Sequence, residues 1–468
     1  MGAIRTVRHA AGEEKVLDGR RGSSTRHLRW RLIAVLSILS VIAAACGGDD
    51  DTDNDVAAEG GDAVEVDAAA SDEPVELLVW ASREHSIPAD EFEAFEEEHP
   101  NVTVVHDVIP SDDILQQLQR MRDAGQDMPD VIQEDAFLMP TFTELGFTLP
   151  LDELIAKWEE EDPELYDLVF PTVWEQGKID GVARHTPLAS NMEFIYYNLP
   201  WFEEADVELP IESWDDLLAA ARAMKEVRPD DIPISVQGKE GEGVKYLFAA
   251  MQAMGVPFEG PIPQLTSEEG QYLIDWWLTA SEEGLLPPDA ISWAQDESIG
   301  EFVAGRAGLI FDGVTAATDF NDLGTFNYES EWSTMLYPLS RDGSSTDGTP
   351  QTASRTWFIN TETENPYEAS LILRYYAQTK TMVEMTVENG SPPPRQSEAL
   401  ESPELTESMP WFQDLKGAFL EGEPAIASPE RPQVESMLEQ MMGEILLGTD
   451  QTAEELGEKY QAQLDAID

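Results

Sequence analysis

One cysteine in 468 residues excludes an intrachain disulfide framework and any metal or cluster site built from several thiolates. Cations are scarce as well: 28 Lys and Arg stand against 93 Asp and Glu, a formal net charge of −65. So acidic a surface repels phosphate backbones and anionic headgroups, which excludes a nucleic-acid partner and membrane docking through a basic patch. The uncharged run Leu32 to Ala45 has 14 residues, short of the roughly 20 that span a bilayer. Missing too are a phosphate loop, a Gly-rich dinucleotide fingerprint, a nucleophile elbow and a metalloprotease His-Glu pair. His85, His99, His106 and His185 lack metal-ligand spacing, so neither a metal nor a cofactor is expected. With 93 acids, carboxylate pairs arise by number alone, and a glycosidase pair is defined by separation in space. No catalytic residue is assigned.

What is present is enough to fold. At 42% hydrophobic and 9% aromatic the chain can build real cores, and its length fits two or three domains. Residues 1–45 hold eight basic and three acidic residues. A positive stretch, an apolar run and the small residues Ala43, Ala44 and Ala45 before Cys46 read as a secretory signal peptide over 1–45. The Arg20-Arg21 pair reads as ordinary leader charge. From Gly47 to Pro74 there are eleven acids and no cation, too little apolar surface to offset chain entropy. Residues 46–74 therefore read as a disordered acidic tether, reaching about 90 Å when stretched. Asp51, Asp53 and Asp55 have calcium-loop spacing, but Val56 stands where the loop needs Gly.

Beyond the tether, Val75–Trp80, Val102–Val105 and Pro129–Ile132 read as strands, separated by helical patterns that bring Phe92 with Phe95 and Ile114 with Leu118 onto shared faces. This alternation predicts an α/β fold with a parallel sheet. Ligands of such sheets bind beyond the carboxyl ends of the strands, which points to 82–85 and to Glu134 and Asp135. Ser213 announces a helix from Trp214, and further helices are expected over 271–283, 434–447 and 452–467. No repeat of 20 to 50 residues is present, which argues against a solenoid or propeller.

Several segments, in order, resemble one family. Ala-Ala-Ala-Cys-Gly-Gly at 43–48 resembles a bacterial lipobox, in which the cysteine carries a diacylglycerol; a plain secretory signal with an incidental cysteine is the other reading. The run 90–102, Leu149-Pro-Leu-Asp-Glu-Leu154, Gly177-Lys-Ile-Asp-Gly181, Ile195-Tyr-Tyr-Asn198, Ser213-Trp-Asp-Asp-Leu-Leu218, Phe302 to Gly313 and Asn389 to Arg395 are similar to the signatures of extracellular solute-binding proteins of ABC importers, carbohydrate type. The resemblance covers Val75 to the end. It implies a two-lobed periplasmic-binding-protein-like α/β fold with a hinge, lobe 1 taking 75–186 plus 350–395 and lobe 2 taking 187–349 plus 396–468.

The resemblance also implies where the ligand sits. Ser82, Arg83 and Glu84 follow the first strand, Glu134 and Asp135 the third, and Asn191 precedes the Tyr-Asn signature. In lobe 2, Tyr246 stands where an aromatic commonly faces the ligand, and Asp312 closes the Phe302–Gly313 segment. The family's tryptophan just past that glycine is replaced by Val314 and Thr315, so Trp293 and Trp357 are the candidates for stacking on a sugar face, a surface that suits an aromatic ring; core packing is the other role open to each. Arg83, Arg355 and Arg395 either neutralise carboxylates or hold the ligand by forked hydrogen bonds.

The resulting expectation is a monomeric, lipid-anchored receptor on the extracellular face of the membrane or in the periplasm. It captures a saccharide by lobe closure and delivers it to the permease of an ABC transporter, anchored through Cys46. A receptor of the same fold for a phosphorylated polyol or a polyamine, and a secreted glycoside hydrolase, are the alternatives.

Overall fold

The computed structural model describes residues 69–71, 73–82, 89–239, 245–317, 320, 327–343, 348–389 and 393–467. The expected signal peptide, Cys46, most of the tether, Arg83 and Glu84 lie outside the described residues, and of Ser82 only the backbone is described.

The longer strands of the main sheet are β1 (Val75–Ser82), β2 (Val102–Ile109), β3 (Val131–Asp135), β4 (Thr186–Asn198), β5 (Ile232–Ser235), β6 (Ala307–Gly313), β7 (Trp332–Met335) and β8 (Gln351–Ile359), and the short strand Glu423–Pro424 adds to β8. They run in the order β2-β1-β3-β8-β4-β6-β5, with β7 also on β4. The expected parallel pairing holds for β1 with β2 and β3. The full sheet is mixed, because β8 lies antiparallel to β3 and β4, and β6 antiparallel to β4. A strand that passes from one half of the molecule to the other needs no return helix, so nothing forces it parallel.

The thirteen-residue β4 makes that passage. It pairs with β8 as far as Met192 and with β6 from Glu193 onward. Alternation then gives each half of the sheet two cores. On β1, Leu77 and Val79 face one core with Trp357 and Ile359, whereas Trp80 faces another with Ile132 and Phe358. In the other half, Ile195 and Phe311 share a core with Trp214 and Trp277, and Phe194, Tyr196 and Ile310 share one with Phe302 and Phe412. These are the two lobes of the fold.

The helices follow local chemistry. The helix α1 (Ala89–Glu98) buries Phe92 and Phe95. Gly125, with φ of 60°, ends α2 (Ser111–Ala124) in the left-handed conformation that glycine adopts without strain. Ser213 caps α3 (Trp214–Val227) by accepting from the Asp216 N–H at 3.0 Å. The chain continues through α4 (Lys245–Met254), α5 (Glu268–Glu282), α6 (Pro366–Ala377), α7 (Arg431–Leu447) and α8 (Ala453–Leu464). No described helix is long and apolar enough to cross a membrane.

Candidate functional site

At the carboxyl end of β3, Glu134 and Asp135 are both buried, with Asp135 directly opposite Arg355 of β8. The Arg355 guanidinium, itself 5% exposed, lies 3.5 Å from Glu134 Oε1 through Nη1 and 3.3 Å from Asp135 Oδ1 through Nε. From the other lobe Lys245, first residue of α4, brings its Nζ to 3.5 Å from Asp135 Oδ2. Burial pushes the Asp135 carboxyl up, but the charges of Arg355 and Lys245 outweigh it and hold the group below its usual value. Arg355 thus neutralises carboxylates rather than waiting free for a ligand.

A second acidic pair sits at the handover on β4. Glu193 lies opposite Gly313, next to Asp312 on β6. Asp312 accepts from Gln237 Nε2 at 3.0 Å, Gln295 Nε2 at 2.7 Å and the Gly313 N–H at 2.7 Å. Burial, and then the Asp312 charge, push the Glu193 carboxyl up to about 8. Glu193 therefore carries its proton at neutral pH and can donate a hydrogen bond. Asn191, two residues earlier, accepts from the Met192 and Val314 N–H groups at 2.9 Å each. A Cβ at Gly313 would come within 2.8 Å of the Asn191 side-chain amide, so a larger residue here would displace that amide from the Val314 N–H it accepts from.

Tyr246 and Tyr337 lean on Phe311 at centroid distances of 6.3 and 5.5 Å, and both phenols are buried. Neither hydroxyl has a hydrogen-bond partner among the described residues. Burial first, then the Glu193 and Asp312 charges, raise the Tyr337 phenol well above its ordinary value. Arg431, at the start of α7, spans the lobes: it lies 4.5 Å over Phe137 and 3.9 Å over Phe248, donating to the Ile426 carbonyl at 2.7 Å and to Glu435 at 2.9 Å. Beside these charges, next in sequence to both Asp135 and Arg355, opens a cavity of about 490 Å³ lined by Phe137, Gln176, Lys178, His185, Ser354 and Ile426 among others. That size suits a small solute.

The fold therefore brings together Glu134, Asp135, Asn191, Tyr246 and Asp312 from the sequence expectations. Two others are corrected. Trp357 is 4% exposed and stacks on Tyr376 at 4.7 Å inside a lobe core, so its face is already taken. Arg395 is buried behind the cavity wall, donating to Gln176, Ser354 and Thr172 rather than reaching a ligand directly. Trp293 is half-buried against a core, and its carbonyl accepts from the Gly238 and Lys239 N–H groups at 3.2 and 3.1 Å. Its place is beside Gln295, a partner of Asp312. Sequence reasoning missed Glu193, although a carboxylate between Met192 and Phe194, with Ile195 following, is itself a signal. It also missed Lys245 and Arg431, which the meeting of the lobes places here, and Tyr337, which its packing on Phe311 within one lobe does.

A family model described as bacterial extracellular solute-binding protein matches residues 81–383. A relative in Brucella abortus (strain 2308) is 26% identical over 219 residues, 46% of this chain, and the match spans about half (52%) of that relative's length. Among solved structures, a solute-binding protein of an ABC transporter from Thermotoga lettingae, bound to α-D-tagatose, aligns with a TM-score of 0.71 at 19% identity, covering 84% of this chain and 99% of that one. Maltose-bound MalE3 of T. maritima aligns at 0.71 with 16% identity over the same shares. The GacH receptor of Streptomyces glaucescens, solved unliganded and with acarbose, aligns at 0.68 with 17% identity, again over 84% and 99%.

Proposed function

The chain belongs to the bacterial extracellular solute-binding proteins, and from that premise we propose that it is the sugar or oligosaccharide receptor of an ABC importer. One observation carries the reading: polar groups from both lobes converge where β4 changes partners, beside a cavity of about 490 Å³. The handover offers a solute Asp135 from one lobe and Asn191, Glu193, Asp312 and Tyr246 from the other, with Trp293 at the rim; the cavity beside it is walled by other residues, Gln176, Lys178, Ser354 and Ile426 among them. The solute's binding energy favours the arrangement in which both sides are engaged. The structural relatives that bind tagatose, maltose and acarbose support the choice of a saccharide.

The lobes divide as 75–186 plus 350–395 and 187–349 plus 396–468, with Cys46 as the lipid anchor on the extracellular face. The receptor works as a monomer and hands its cargo to the permease unchanged, as a binding protein and not an enzyme. A thermal-shift screen against a saccharide library, followed by calorimetry on the hits, tests this. A saccharide that raises the melting temperature, binds with defined stoichiometry and is recovered intact supports the receptor. Stabilisation by a polyamine or a phosphorylated polyol alone refutes the sugar, and release of a product refutes the receptor.

A further inference from the structure

The cavity differs in charge from the rest of the chain. Acids make up 93 of 468 residues, so fifteen residues drawn in proportion would include about three. None of the fifteen described residues lining this cavity is Asp or Glu. Lys178 lines it, and so does His185, which burial lowers to about 3 and which is therefore neutral at physiological pH.

Behind the wall stands Arg395, 8% exposed. Its side-chain hydrogen bonds run to neutral oxygens: Nη1 to Gln176 Oε1 at 2.5 Å and Ser354 Oγ at 3.1 Å, and Nη2 to Thr172 Oγ1 at 3.1 Å. Burial lowers its pKa to about 10, which leaves it charged at neutral pH. A buried charge is ordinarily balanced by an opposite one.

A guanidinium can only donate, and this fixes its neighbours. Gln176 has turned its carbonyl oxygen to Arg395, so the two amide N–H bonds are left for other partners. Ser354 Oγ accepts from Arg395, which leaves its hydroxyl proton to be donated. Both residues line the cavity. Together with Lys178, whose ammonium lies 2.8 Å from Glu175, they give the cavity a polar face made of donors.

We propose that this face takes an anionic group of the solute, a sugar carboxylate of the uronate kind, bound by the Gln176 amide and the Ser354 hydroxyl and balanced by the buried charge of Arg395. The inference rests on the sugar-receptor reading and narrows it. In a chain of net charge −65, a patch that attracts anions needs such local donors and is felt only over about 8 Å at physiological salt.

Calorimetry of the purified protein at fixed salt with matched pairs, galactose against galacturonate and glucose against glucuronate, together with neutral and uronate oligosaccharides, tests it. The expected result is at least tenfold tighter binding of the acidic members. Ser354→Ala should weaken uronate binding about tenfold. Gln176→Glu should place a carboxylate against Arg395, raise the melting temperature and abolish the preference for acids. Equal or tighter binding of the neutral members overturns the inference and leaves the receptor reading intact; binding of neither series overturns both. A folded Gln176→Glu protein that keeps its uronate preference also overturns it, and if that variant does not fold, unchanged uronate binding by Ser354→Ala does so.

Discussion

The protonated Glu193 is the most direct handle on the site, and replacing it with glutamine isolates its charge. Its carboxyl moves from the ordinary 4.5 to about 8 on folding, through burial and the neighbouring Asp312. At pH 7 the unfolded chain releases this proton and the folded chain keeps it, which costs the wild type about 3 kcal/mol of stability. Because the folded pKa is raised, the group's contribution is fully present below about 4.5 and is lost as pH rises through about 8. Glutamine matches the protonated acid in shape and does not titrate. Glu193→Gln should therefore equal the wild type near pH 4 and exceed it by about 3 kcal/mol at pH 7. Urea unfolding of both proteins from pH 4 to 9, at high salt to damp the titration of the acidic surface, measures the difference directly. Parallel stability curves across that range would refute the reasoning, because they would mean that Glu193 is ionised in the folded protein.

Arg355→Met should destabilise by about 3–5 kcal/mol at pH 7, since it leaves Glu134 and Asp135 buried without the guanidinium. The Asp135 pKa is depressed in the wild type, so the gap measured by denaturation should narrow as pH falls below the unfolded value of about 3.9. Trp357→Ala should cost about 3–5 kcal/mol of stability through the cavity it opens against Tyr376; a tenfold loss of sugar affinity with an unchanged melting temperature would restore it to the binding site. Cys46→Ala should move the protein from the membrane fraction to the medium or leave it unprocessed, because two acyl chains hold where fewer do not. An intact, processed lipoprotein in the membrane fraction of that variant would disprove the anchor.

Much of the chain's organisation was legible because it is written locally. Strand alternation, the helical spacing of Ile114 and Leu118 and the Ser213 cap depend on neighbours a few residues away, and they place β1 to β3, α2 and α3 close to where the structure has them. Strand ends flagged Glu134 and Asp135 for the same reason. The antiparallel placement of β8 and β4 was not legible, since pairing between residues more than 150 apart leaves no periodic trace. Trp357 illustrates the limit: residue type and polar neighbours fit a sugar platform, but the position of Tyr376 decides that the ring is core.

By itself the sequence determined the α/β class, the acidic body and the likeness to solute-binding proteins, all of which follow from composition and short-range pattern. Only the tertiary structure decided which charges meet: Lys245 with Asp135 across the lobes, Glu193 with Asp312 at the handover of β4, and Arg395 with neutral oxygens behind a cavity without described acids. The physical reason is that a side chain's protonation and hydrogen-bonding role are set by burial and by partners within a few ångströms, and those partners come from segments far apart in the chain.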